Sequence, residues 1–259
     1  MVEDVTLTKT WEINAEKDLN GRAIVKNEIE LDLNGHQLLV TGKARILIDG
    51  GMMTITDSGS NGNGRVVGQL QPDEDAGNYL FMISVACDEK GEQLNSGELV
   101  TQLDSTNRIE SNLGLLYIDN TKNFSSVPSA SISGGRYWAD LSEENQESFS
   151  GGFVVNQGGT LALNDSAELS FGADSFQYAY IDNMGQLTAN DAVLLTGLTN
   201  SEAGQVTLKS SSLALCSPLQ NDGNITLVGS SSLLKEGWFI VSSGNLELHD
   251  TSVLKLTSP

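Results

Sequence analysis

His36 and His249 are the only histidines, and they are the natural starting point for any chemistry in this chain. Neither has a partner at zinc-ligand spacing, and no Ser/His/Asp order stands out. His36 follows Asn34-Gly35 and reads as a turn residue, while His249 falls on an outward-alternating position and reads as solvated. Cleavage of an acidic polysaccharide calls for Ca²⁺-holding carboxylates beside an Arg or Lys base, or for paired acids. Arg22, Arg45, Arg65, Arg108 and Arg136 are far apart in sequence, and the aspartates are scattered through turns, so no catalytic set is assigned. A solenoid can still bring some of those arginines together along one flank. Asp73, Glu74 and Asp75 form an acidic run in a loop, and they are the candidate ligands for Ca²⁺, the one cofactor left open.

Sugar recognition in shallow clefts uses exposed aromatic faces beside polar groups. Arg136-Tyr137-Trp138, followed by an acidic loop, is the first candidate; Tyr178 with Tyr180 is the second, and Trp238-Phe239 a third. Strand alternation places one member of each adjacent pair, Tyr137-Trp138 and Trp238-Phe239, inside.

The elements that would carry these residues are visible as a repeat. Glycines at 159, 185, 204, 223 and 244 are spaced 26, 19, 19 and 21 residues apart. Each opens a unit such as Gly223-Asn-Ile-Thr-Leu-Val-Gly229, with an apolar residue or alanine two and four places on. A second apolar position follows nine or ten places after the glycine, at Leu169, Leu195, Leu213, Leu233 and Leu254. Period-two alternation marks a strand with one buried face. A five-residue strand, a turn and a second short strand, recurring every 19–26 residues, describe a right-handed parallel β-helix of about 11 or 12 coils. The glycine is expected in the preceding turn, where a positive φ costs it little. Position six holds Asp165, Asp191, Ser210, Gly229 or Asp250, residues suited to tight corners. Ser210–Ser212 and Ser230–Ser232 are expected to stack outside the core.

The N-terminal part fits the same scheme, with Ile29, Leu31 and Leu33 on one face and Met53, Ile55 and Asp57 at the later units' offsets. Residues 67–149 read as coils carrying side loops, within one domain spanning 1–259 whose regular coils are 1–66 and 150–259. Leu115–Ile118 and Ala130–Ile132 look like rungs there, and a short helix near 139–147 is the one helical expectation.

Composition narrows the function classes. Charged residues make up only 19% of the chain, so the polar content is carried by small turn-forming residues. Acidic residues number 34 against 14 basic ones, and the net charge of −20 disfavours nucleic acid and anionic membranes. No apolar run reaches the length of a membrane span. Two cysteines make no disulfide framework; Cys87 and Cys216 read as buried thiols, with a single bridge between them the alternative. Met1-Val2-Glu3-Asp4 has no basic leader, and the chain reads as a piece of a longer surface protein.

Two segments carry a resemblance. Glu30-Leu-Asp-Leu-Asn-Gly-His36, followed by Gly51-Met-Met-Thr-Ile-Thr-Asp57, resembles the strand, Asn-Gly-His turn and rungs of large secreted or wall-anchored proteins of Gram-positive, often gut, bacteria with pectin-lyase-like β-helix repeats. Ile132-Ser-Gly-Gly-Arg-Tyr137 resembles their recurring Ile-Ser-Gly-Gly-aromatic unit. With the C-terminal rungs, the likeness touches most of the chain outside 65–130. It implies an extracellular or cell-surface module, adhesin-like or a stalk, presenting a surface to a glycan or to a host or bacterial surface protein. The expectation is a non-catalytic domain. A polysaccharide lyase or glycoside hydrolase is the alternative, and a structural spacer the third reading.

Overall fold

The computed structural model describes residues 1–17, 23–71, 81–87, 95–120, 126–139, 152–171, 180–215, 219–236 and 240–257. These residues form a right-handed parallel β-helix. Three parallel sheets hold ten, nine and nine strands, and each coil visits them in the same order. Sheet 1 runs from Val5–Leu7 to Val253–Thr257, sheet 2 from Trp11–Asn14 to Ile240–Ser242, and sheet 3 from Glu28–Asp32 to Asn245–Leu248. An antiparallel pair, Glu16–Lys17 with Ala23–Val25, stands apart from the stack. No helix occurs among the described residues; Ala139 ends a strand, and the rest of the expected 139–147 helix lies outside them.

Alternation explains the packing. In sheet 1 the inward residues Ile109, Tyr137, Leu169, Leu194, Leu213 and Leu233 are consecutive register partners. In sheet 3, Leu161, Leu187, Val206 and Ile225 form one inner row and Leu163, Ala189, Leu208 and Leu227 the next. One hydrophobic cluster runs from Ile13 to Leu233 along the axis. Each fully buried leucine adds about 1.5–3 kcal/mol, so the stack of rows is the main source of stability. Outside sheet 2, Phe81, Cys87, Tyr117 and Val154 make a second small cluster.

Several expectations need correction. Each coil has three strands, not two. The sheet 2 strands are three to five residues long, and the shorter ones, such as Gly197–Asn200 and Leu219–Asn221, are too short to show a period. Among the described residues ten rungs, rather than 11 or 12, give an axial length of about 43 Å at ~4.8 Å per step. Leu194, not Leu195, is the inward residue of its rung, and Leu195 is 42% exposed.

The left-handed backbone sits six places after the repeat glycine and not at it. Asp165, Asp191, Ser210, Gly229 and Asp250 all have φ between 50° and 68°. The glycines at 185, 204, 223 and 244 are needed for close approach instead. A Cβ at Gly223 would lie 2.3 Å from the Gly204 carbonyl oxygen, and one at Gly244 2.2 Å from that of Gly223. Ser211 and Ser231 do stack, but buried: the Ser211 N–H donates to the Ser231 hydroxyl at 3.2 Å, and that hydroxyl donates to the Leu208 carbonyl at 2.9 Å.

The middle coils are longer, as expected. Met53, Leu99, Ala130 and Leu161 are successive partners in sheet 3 although 46, 31 and 31 residues separate them. Gly97 and Pro128 take the place of the repeat glycine there, and their carbonyls accept from the next coil's Ser129 and Thr160.

Candidate functional site: an arginine row on the outer face of sheet 1

The strand Arg136–Ala139 alternates exposed, buried, exposed, buried. Tyr137 therefore faces the core, 1% exposed, with its hydroxyl against that of Thr101. As a ligand contact it is corrected: the ring fills the solenoid where neighbouring rungs place Ile109 and Leu169. Burial pushes its phenol pKa well up, so it stays neutral. Trp138 and Arg136 point outward on the same strand, and Trp138 is 38% exposed.

Register builds the rest of the site. Arg136 is the direct partner of Arg108, and Arg108 of Arg65, so three arginines stand in one outward row on successive strands. The row continues to Glu168, whose carboxylate lies 3.7 Å from Nε of Arg136. The parallel outward row holds Glu110, Trp138 and Ser170. Together Arg108, Glu110, Arg136, Trp138, Glu168 and Ser170 line an open cleft of about 450 Å³. A second depression of about 470 Å³, lined by Asn63, Gly64, Arg65, Thr106 and Arg108, shares Arg108 as a wall. The two make one groove across four strands, about 14 Å long at ~4.8 Å per step.

The loop at the N-terminal end of this groove is pinned by Asp57. Its carboxylate accepts from the backbone N–H groups of Gly35 at 2.6 Å, Gly59 at 3.2 Å and Gly64 at 3.0 Å, and from the Asn107 amide at 2.5 Å. Burial works against its ionisation, but these four donors outweigh it and hold its pKa below the usual carboxylate range.

The structure does not bring the other candidates here. Tyr180 opens the sheet 2 strand Tyr180–Asn183, beside Gly197, on a different face of the coil. Tyr178, Trp238, Phe239 and the proposed Ca²⁺ ligands Asp73, Glu74 and Asp75 lie outside the described residues. Among the described residues no group of three or more acidic, His or Cys side chains could hold a metal ion. His36 sits in its turn, 3.5 Å from Asp4, and His249 pairs with Glu247 at 3.3 Å on the surface.

The sequence allowed some of the arginines to meet along one flank without saying which, and it gave no reading of a second feature. The arginine row left no local signal, because 43 and 28 residues separate its members. The other feature is a buried asparagine ladder at one corner. Asn183 donates to Asn200, and Asn200 to Asn221, each at 2.8 Å. All three precede a repeat glycine by two or four places, which is the signal that could have found them.

No protein-family model, curated protein or solved structure matches the chain.

Proposed function

We propose that this domain is a non-catalytic, glycan-binding β-helix of an extracellular, adhesin-like protein, and that the groove on sheet 1 is its binding face. The observation that carries this reading is the exposed Trp138 set between Arg108, Arg136, Glu110 and Glu168 in one open cleft. An indole face gives a sugar ring an apolar platform, and the flanking donors and acceptors reach its hydroxyls. The site rests on strands of a continuous stack, so it is held in shape before any ligand arrives. The resemblance to surface proteins of Gram-positive bacteria supports the extracellular setting.

The test is a glycan array followed by calorimetry on the best binder, with and without Ca²⁺. Trp138→Ala should weaken binding by about tenfold or more, in line with the stacking of one aromatic anchor, with the circular dichroism unchanged. Equal affinity for the variant, or no glycan bound at all, would remove this reading.

A second reading, cleavage of an acidic polysaccharide, is favoured by the same cleft holding two carboxylates and two arginines. Release of unsaturated uronate or of new reducing ends, lost in Arg136→Ala, would establish it in place of simple binding.

A further inference from the structure

We infer that the depression between Arg65 and Arg108 is an oxyanion subsite, taking the carboxylate or sulfate ester of an acidic glycan whose sugar ring lies on Trp138. The glycan part rests on the binding face proposed above; the oxyanion part stands on its own geometry.

The first observation is electrostatic. Arg65 and Arg108 are direct register partners on adjacent parallel strands, and Arg136 extends the row on the other side. Like charges placed directly opposite each other in a sheet are destabilising. Acidic residues outnumber basic ones by 34 to 14, so carboxylate partners are plentiful in this chain. Arg136 has one, Glu168, whereas neither Arg65 nor Arg108 forms an ion pair among the described residues. Two adjacent guanidinium groups thus face one depression with no carboxylate of the described residues within ion-pair distance.

The second observation is the lining. Besides the two arginines it holds the Thr106 hydroxyl, the Asn63 amide and Gly64, with no carboxylate. Guanidinium forks match the geometry of carboxylate and sulfate oxygens and bind them in pairs of hydrogen bonds. Asp57 lies behind this wall, its charge already taken up by four donors, and it holds Gly64 in place. The neighbouring cleft is different in kind, since Glu110 and Glu168 line it beside Arg108 and Arg136. The groove therefore has an anion-selective end and a mixed, aromatic end joined at Arg108. A glycan with its charged group one strand away from the stacked ring fits both.

The experiment uses the whole chain and begins with sodium sulfate against sodium chloride at matched ionic strength. The Nε–Hε resonances of the arginines are followed by NMR. Saturable shifts at Arg65 and Arg108 are expected, weakened about tenfold in Arg65→Gln and Arg108→Gln. Three oligosaccharides are then compared: a sulfated one, its desulfated counterpart and an unsulfated uronate. Tighter binding of the sulfated chain assigns a sulfate ester, and tighter binding of the uronate assigns a carboxylate. Absence of saturable shifts, or shifts untouched by both glutamine variants, overturns the subsite. If the neutral oligosaccharide binds as well as the charged ones and depends only on Trp138, the subsite falls and the glycan face stands. If sulfate saturates the arginines but no oligosaccharide binds, the glycan face falls and the oxyanion site stands.

Discussion

The hydroxyl of Tyr137 meets the hydroxyl of Thr101 across the interior of the solenoid, a contact between sheet 1 and sheet 3 that is closed to solvent. Thr101 stands in an inner row between Ile55 and Ile132, so among the described residues its hydroxyl is relieved by this phenol alone. A buried hydroxyl left without a partner costs about 1–3 kcal/mol. Tyr137→Phe should therefore lower stability by about that amount, and Tyr137→Phe with Thr101→Val by less than the sum of the two single changes. Urea unfolding of the four proteins measures this. Glycan affinity should not change, because the phenol does not reach the groove.

Leu208 and Lys209 test the in-and-out assignment. Leu208 is fully buried and Lys209 is exposed, one residue further along the same strand. Leu208→Asp should cost several kcal/mol or abolish folding, since it puts an unpaired charge into a narrow apolar core. Lys209→Asp should fall within about 0.5 kcal/mol of the parent. Similar losses in thermal unfolding would contradict the register.

The two kinds of special backbone position should respond in opposite ways. Gly223→Ala should destabilise by more than about 1 kcal/mol. Its Cβ would meet the carbonyl oxygens of Gly204 at 2.3 Å and Ser201 at 2.4 Å, and the backbone would have to part. Asp191, at φ 50°, should accept glycine at little cost, whereas Asp191→Val should lose about 1–2 kcal/mol to left-handed strain. Melting temperatures of the three variants are the measurement.

The asparagine corner should behave as a unit. Asn200 accepts from Asn183 and donates to Asn221, so Asn200→Leu leaves polar atoms unpaired on both neighbours. A loss of about 2–4 kcal/mol is expected, larger than for Asn221→Leu, which interrupts the ladder on one side of Asn200 only. Denaturant midpoints of the two variants would show whether the order holds.

Asp57 carries a pH signature. Its folded-state pKa lies below the ordinary value of about 3.9, so its contribution is fully present above that value and is lost as pH falls through the lower folded one. Asp57→Asn should be less stable than the parent at neutral pH, because an amide NH₂ would face donors at Gly64 or Asn107. The difference should shrink below about pH 4. A gap that stays constant down to acid pH would mean that the carboxylate charge is not what holds the loop.

The repeat was legible because it is local. Period-two alternation and a residue six places after each glycine are properties of single coils, and they placed Leu161, Leu163, Val206, Leu208, Ile225 and Leu227 correctly. The misplacement of Leu195 for Leu194 has a local cause too. The number of residues in the turn after Asp191 sets which of two adjacent leucines faces in, and both are equally apolar. In sheet 2 the rung at Leu115–Ile118 was legible, whereas strands of three or four residues carry too few positions to show a period.

The alternation within each repeat is enough to wind this chain into coils with a leucine-rich interior, since each coil must bury the same alternate positions on its neighbours. The sequence also places Trp138 next to Arg136. That Arg65 and Arg108 join them follows from the pairing of strands in the folded chain. The coils between these residues differ in length by their side loops, and no local pattern counts those loops out. Backbone hydrogen bonding between parallel strands makes the alignment: it locks Arg65, Arg108 and Arg136 into one row and leaves their charges to meet on the outer face.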